Sequence, residues 1–348
     1  IEVISNLKLR YSWGIAGNSD IPSYSSQTKL ANDLSYQALD DIVYSQYVPL
    51  RIGNTELTWE RTTSHNIGID MGLFRNRLSY TIDYYNSKTT DLLFKVPLPL
   101  VNVYPEIWDN VASTKNQGIE VALNGIIMNR KDFNWSVDLN LSHNRGEVVE
   151  LTEGAEEFPR TDDEGDDKIW AVGEPVDAFW IFDNDGIYQI EDLQTELQYV
   201  SQQNATGDSI EKGRIPMLAN AYEPGDIKLV DQNGDGDFNN DDKIIIDASP
   251  TVIFGLGSSL NLKTNAGTFG LRVYAMGRLG QTIDYEFYDR IANSRGKENG
   301  AQVDAWTPQN TGSKFPRNSE NGNSMSIIHL KSLRFVDGSF VKIKDITV

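Results

Sequence analysis

The chain of 348 residues contains no cysteine, which excludes disulfides and thiolate metal sites. Histidine is almost as scarce: His65, His143 and His329 stand far apart with no metal-type spacing, so a zinc enzyme is not expected. Positive charge is in deficit, with 31 Lys plus Arg against 50 Asp plus Glu and a net charge of −19. Such a chain is expected to repel nucleic acid and anionic lipid headgroups alike. No stretch approaches the roughly 20 apolar residues of a membrane helix, and the opening IEVISNLKLRYSW lacks the basic and apolar regions of a signal peptide. These absences speak against helical spans only, because a β-barrel carries its apolar band in alternate residues. No nucleophile paired with a base, no phosphate-binding loop and no glycosidase-type carboxylate pair is found, so no enzymatic activity is expected.

What the sequence does contain is alternation. In LKLRYSWGIA, Leu7, Leu9, Tyr11, Trp13 and Ile15 fall on one face, and Lys8, Arg10, Ser12, Gly14 and Ala16 on the other. A period of two with an aromatic-rich apolar face and a polar or small opposite face fits a barrel strand between lipid and lumen. The pattern returns over residues 65–85 as a hairpin turning at Phe74 to Arg77. It recurs around turns near 127–132 and 264–268. Opposite the apolar positions stand Gly118, Glu120, Asn124, Asp138, Asn140, Gly255 and Gly257, which suit a wet lumen. About eight strands result. In the last, VKIKDITV, Val341 and Ile343 share one face but Ile346 and Val348 the other, which predicts a bulge or a strand end.

The short turns alternate with long connections near 17–56, 95–110, 148–250 and 284–333. In an up-and-down barrel that parity sets every short turn at one rim and every long loop at the other. The fold expected is therefore all-β, an antiparallel up-and-down transmembrane barrel segment over residues 1–348, with a long extracellular loop region at 148–250. Tyr11, Trp13, Trp59, Tyr80, Tyr84 and Trp135 are expected at the two aromatic girdles. Trp170, Trp180, Tyr188 and Trp306 are candidate substrate-stacking platforms, with loop packing as the simpler reading. The DDEGDD stretch from Asp162 reads as a solvated acidic loop, with a second cation site as the alternative.

Within that region, DQNGDGDFNNDD at 231–242 has the spacing of a calcium-binding loop. Asp231, Asn233, Asp235 and Asp242 occupy positions 1, 3, 5 and 12, the carbonyl of Asp237 fills position 7, and Gly236 supplies the turn at position 6. With Asp in place of Glu at position 12, a structural Ca²⁺ of extracellular-type affinity is expected, roughly 10⁻⁴ to 10⁻³ M. An Asx- and Gly-rich turn with solvated carboxylates is the alternative. The flanks IKLV and KIII are too short and too β-branched for helices.

Several stretches together resemble the C-terminal barrel region of SusC/RagA-type TonB-dependent outer-membrane transporters. They are LKLRYSWGIAGN, LTWERTTSHNIGIDMGLFRNRLSYTIDYYNSKTTDLL, NVASTKNQGIEVAL, FNWSVDLNLSHNRGEVVEL, GDIKLVDQNGDGDFNNDDKII, DAWTPQN with FPR, and VDGSFVKIKDITV. The resemblance implies roughly 8 of about 22 strands, with the plug and the energy-coupling segment lying upstream. It further implies import of a glycan or oligopeptide across the outer membrane of a Gram-negative bacterium, a SusD-like surface lipoprotein partner, and energy from the TonB complex. The competing expectation is a secreted, calcium-stabilised β-domain that binds carbohydrate or mediates adhesion.

Overall fold

A computed structural model describes residues 3–39, 42–98, 104, 106–152, 155–160, 168–192, 223–234, 239–285, 304–317 and 333–348; for 31–39, 42–50, 97, 106 and 158–160 it describes the backbone alone. In chain order the strands are β1 (Ile4–Asn18), β2 (Lys29–Leu39), β3 (Ile42–Arg51), β4 (Glu60–Leu73), β5 (Leu78–Pro97), β6 (Glu106–Asn129) and β7 (Phe133–Leu151). There follow β8 (Glu157–Arg160), β9 (Lys168–Ala171), β10 (Ala178–Phe182), β11 (Asn184–Ile187), β12 (Ile227–Leu229) and, after a 3-10 turn at Asn240–Asp242, β13 (Lys243–Asp247). The chain closes with β14 (Val252–Thr264), β15 (Gly267–Leu279), β16 (Thr282–Asp284), β17 (Phe335–Asp337) and β18 (Phe340–Thr347).

Eight of these form one antiparallel sheet in the order β1-β4-β5-β6-β7-β14-β15-β18. Sheet order follows chain order once the strands inside the long connections are set aside, which is the up-and-down topology expected. Register ties the alternation together. One row runs Leu7, Met71, Tyr80, Leu123, Leu139, Leu256, Ala275, Ile343 across all eight strands. The adjacent row, on the opposite face, runs Lys8, Asp70, Thr81, Ala122, Asn140, Gly255, Met276, Lys342. A slip of one residue at any ladder would break both rows, so the two-sided pattern fixes the pairing. The apolar face lies bare, with Leu9 72 % and Ile343 60 % exposed. Covering one such side chain with hydrocarbon stabilises by about 1.5–3 kcal/mol.

The parity change in β18 is a bulge: Tyr274 pairs with Asp345 but Ala275 with Ile343, which leaves Lys344 without a partner in the ladder. The β4–β5 turn contains no glycine, yet Phe74, Arg75 and Asn76 all have left-handed φ, at 51°, 60° and 59°. Such residues cost about 1–2 kcal/mol each. The Ser5 hydroxyl offsets part of this by accepting from the Arg75 and Asn76 amides at 2.7 and 3.3 Å.

The long connections hold more structure than their polar sequence suggests. Residues 17–56 carry the β2–β3 hairpin, paired only with itself. The strands flanking 95–110 extend inward, so that β5 and β6 run 20 and 24 residues and leave only 98–105 as the connection. A span needs about 9–11 residues, so both strands rise well above the apolar band. The region read as loop at 148–250 contains a four-stranded sheet, β13-β10-β9-β8, and the β11–β12 pair. Pairing satisfies backbone groups that a bare loop would leave to water.

Candidate functional site

The loop sheet is seated on the strand extensions through a compact apolar cluster. Val111, Ala112, Val148, Leu151 and Trp170 form its centre, with Phe94 and Val176 packed against them. The Phe94 and Trp170 rings lie 4.9 Å apart at 46°, and the Trp170 indole N–H donates to the Val176 carbonyl at 3.2 Å. The four aromatic residues singled out as stacking platforms, Trp170, Trp180, Tyr188 and Trp306, are all buried, at 5 to 8 % exposure. Lys243 Nζ sits 4.1 Å from the centre of the Trp180 ring, and the Trp306 N–H donates to Gln189 Oε1 at 3.0 Å. Their faces are spent on packing, so here they are structural and offer no open platform.

Two long connections are locked together by a buried carboxylate that the sequence reading passed over. Asp226 is fully buried. Its Oδ1 accepts from Arg317 Nε at 2.9 Å and its Oδ2 from the Glu223 amide at 2.8 Å. Arg317 also pairs with Glu223 at 2.6 Å. Backbone bonds close the joint, from the Arg317 amide to the Gly225 carbonyl at 2.8 Å and from the Gly225 amide to Tyr188 at 2.8 Å. Gly225 has φ +94°, and a Cβ there would overlap Trp306 Cε3 and stand 2.7 Å from Arg317 Cβ. The GD and FPR stretches were both legible as motifs; their pairing across 91 residues was not. A second pair, Arg334 Nε to Asp284 Oδ1 at 2.7 Å, holds β16 and β17 where the connection after β15 returns. Just beyond, hydrogen bonds from the Ser339 hydroxyl and amide hold the Asp337 carboxyl below the usual carboxylate range.

Of the calcium-type loop, Asp235 to Phe238 lie outside the described residues, as do the DDEGDD stretch and residues 195–222. The flanks are β12 and β13, strands and not helices. Asp231 and Asp242, positions 1 and 12, are 1 % and 0 % exposed. Asp242 closes the loop: its two oxygens accept from the Gln232 amide at 3.0 Å and the Asn239 amide at 2.9 Å, and Asn239 caps the 3-10 turn in return. Asp231 Oδ1 accepts from the Gly234 amide at 2.6 Å, while Asn233 is exposed. These bonds tie the two ends of the loop together. Among the described residues alone, no group of three or more such side chains is close enough to hold a metal.

On the polar face of the main sheet, Arg10 spans two carboxylates, with Nε to Asp70 at 2.8 Å and one Nη to Asp83 at 2.9 Å. Thr81 donates to Asp70 at 2.9 Å. The guanidinium lies across Gly68, where a Cβ would stand 2.6 Å from Arg10 Cζ. The same device recurs at Gly118, over which Tyr85 reaches Asn144 at 2.6 Å. A hollow of about 400 Å³ opens beside these groups, lined by Asp83, Glu120, Asn140, Ser142, Gly255 and Tyr274 among others. Hydroxyl, amide and carboxylate groups line it together with the apolar side chains of Val121, Leu141, Ile253 and Phe254.

A bare apolar belt backed by a polar wall, with structured connections at one end only, defines a transmembrane β-barrel wall. The family profile described as TonB dependent receptor-like, beta-barrel matches residues 3–215, and the chain belongs to that family. It is 27 % identical over 350 residues to TonB-dependent receptor P3 of Formosa agariphila, covering 99 % of this chain and 32 % of that protein. It is 28 % identical over 306 residues to TonB-dependent receptor SusC of Bacteroides thetaiotaomicron, covering 84 % and 26 %. A solved structure of the RagAB peptide transporter superposes with a TM-score of 0.69 at 22 % identity, over 99 % of this chain and 34 % of the other. The chain spans about a third of the length of these relatives.

Proposed function

We propose that this chain forms part of the wall and outer rim of a TonB-dependent, SusC-type transporter in the outer membrane of a Gram-negative bacterium. The cargo is a nutrient too large for open pores, a glycan or an oligopeptide. The observation that carries this reading is the unbroken apolar row from Leu7 to Ile343 on one face, backed by the polar row from Lys8 to Lys342 on the other. A soluble, secreted β-domain would have to leave that belt in water, at a cost in association and solubility that such domains avoid. A polar wall lining a lumen suits hydroxyl- and amide-rich cargo, and the structural likeness to a peptide transporter favours the peptide arm. A SusD-like lipoprotein over the loop rim and the TonB complex on the opposite side complete the reading. The loop at 231–242 takes one Ca²⁺ through Asp231, Asn233, Asp235 and Asp242 and the carbonyl of Asp237. The ion orders the rim and catalyses nothing.

Two measurements test it. An epitope inserted near Gly207 in the full-length receptor should be labelled on intact cells; labelling only after permeabilisation would invert the topology. Cells bearing the receptor should accumulate a fluorescent oligopeptide or oligosaccharide only when the inner membrane is energised. Uptake that is indifferent to energisation would end the active-transport reading.

A further inference from the structure

The outward face of β4–β7 carries a band of cations at one height. Four basic residues sit on successive strands: Arg61 on β4, Lys88 on β5, Lys115 on β6 and Arg145 on β7. Counted from the strand end at the short turn, they stand 12, 10, 14 and 12 residues up (Leu73 to Arg61, Leu78 to Lys88, Asn129 to Lys115, Phe133 to Arg145). Sheet register does not place them in one row. Lys88 pairs with Lys115, but Arg145 pairs with Gln117 and Arg61 with Thr90. The strands of a barrel are tilted, however, and the short turns step down from β4–β5 to β6–β7 in the same sense, so the four line up along the rim. At about 3.3 Å per residue and a tilt near 40°, 12 residues rise about 30 Å, the thickness of a hydrocarbon core.

They share a face with the belt. Lys88 follows Tyr84 by four residues, Arg145 follows Leu141 by four, and Lys115 precedes Ile119 by four, so the band begins where the exposed apolar residues end. Tyr11 and Trp13, both exposed, stand just below on β1, as aromatic residues do at headgroup level. The cations are not used up inside the protein. Lys115 and Arg145 share one carboxylate, Glu147, at 3.5 and 3.9 Å, and Arg61 approaches Asp91 at 3.9 Å. Lys88 makes no ion pair among the described residues, and it stands directly opposite Lys115, a cross-strand arrangement that is unfavourable unless an anion lies between. Four cations against two carboxylates leave an excess of positive charge in a chain whose net charge is −19.

We propose that Arg61, Lys88, Lys115 and Arg145 form a binding band for the phosphate groups of lipid headgroups in the leaflet on the long-loop side. This rests on the membrane reading above and adds a lipid partner to it. Each basic side chain near an anionic surface contributes about a fivefold preference, so removing two should cost about 25-fold.

The test uses the full-length receptor in nanodiscs of mixed phosphatidylglycerol and phosphatidylcholine, with lipids that stay bound counted by native mass spectrometry. The wild type should retain phosphatidylglycerol, and Lys88→Gln with Arg145→Gln should weaken that preference about 25-fold while the barrel keeps its heat-modifiable mobility. Equal retention by a folded double variant overturns the proposal. Full competition by millimolar inorganic phosphate would assign the band to free phosphate and overturn it too. If neither protein runs as a folded barrel, the membrane reading itself has failed and the lipid site with it.

Discussion

Replacing Gly225 by alanine should loosen the joint between the two long connections without disturbing the barrel. Two costs combine at this position. Its φ of +94° is a conformation that penalises any Cβ, by about 1–2 kcal/mol. The new methyl would also collide with Trp306 and crowd Arg317 Cβ at 2.7 Å, and overpacking of this kind costs about 1–3 kcal/mol. Gly186 provides the control: its φ is +88° with nothing within 4 Å of a built Cβ, so Gly186→Ala carries the backbone cost alone. The two variants should therefore differ by about 1–3 kcal/mol in opening of the 304–317 segment. Where opening is faster than cleavage, that is about 5- to 150-fold in the rate of tryptic cutting after Lys314. The assay is a time course on the full-length receptor in detergent, with heat-modifiable mobility as the check that the barrel is intact. Equal cleavage rates for the two variants would refute the steric account, and unchanged rates in both would refute the joint.

Leu256→Arg, in the middle of the belt on β14, should destabilise the barrel in lipid by about 2–4 kcal/mol; unchanged urea stability in bilayers would count against the outward face being the lipid face. Gly68→Ser should lower the unfolding temperature by displacing Arg10, whereas Gly14→Ser, with nothing within 4 Å, should not; equal shifts would mean that the Arg10 crossing is incidental. Chelator and Asp235→Ala should each raise proteolysis near Gly234 while the barrel stays folded, and unchanged cutting in both would return the 231–242 loop to an ordinary acidic turn.

The eight sheet strands were legible because each spans at least eight residues between two different solvents, and lipid against water writes a period of two into every one. Even the irregularity in β18 left a trace, since the parity of Val341 and Ile346 cannot change without an inserted residue. The β2–β3 hairpin and the strands of three to five residues in the rim left none. A three-residue strand such as β12 alternates only once, and its partner Asn184–Ile187 lies about 40 residues away. The aromatic residues of the rim left two readings open in the sequence for a related reason. Tryptophan in a polar stretch reads as exposed, but Trp170 packs on Phe94, and the apolar neighbours that cover it belong to barrel strands extended past the membrane.

Charge shows most plainly what a summed property conceals. A net charge of −19 predicts that the molecule as a whole repels anions. Screening confines each interaction to about 8–10 Å, however, so an anionic headgroup responds only to the side chains beside it. Beside Lys88 those are Lys115, one strand away, and Thr63 on the other side; the acidic DDEGDD stretch is some 70 residues on in the chain. Whether four cations scattered from 61 to 145 meet is decided by strand tilt and by the position of the short turns, neither of which composition records. Strand tilt and the stepped short turns bring those cations to one height although they lie on different register rows, and that is why a strongly acidic chain can still offer a phosphate a place to bind.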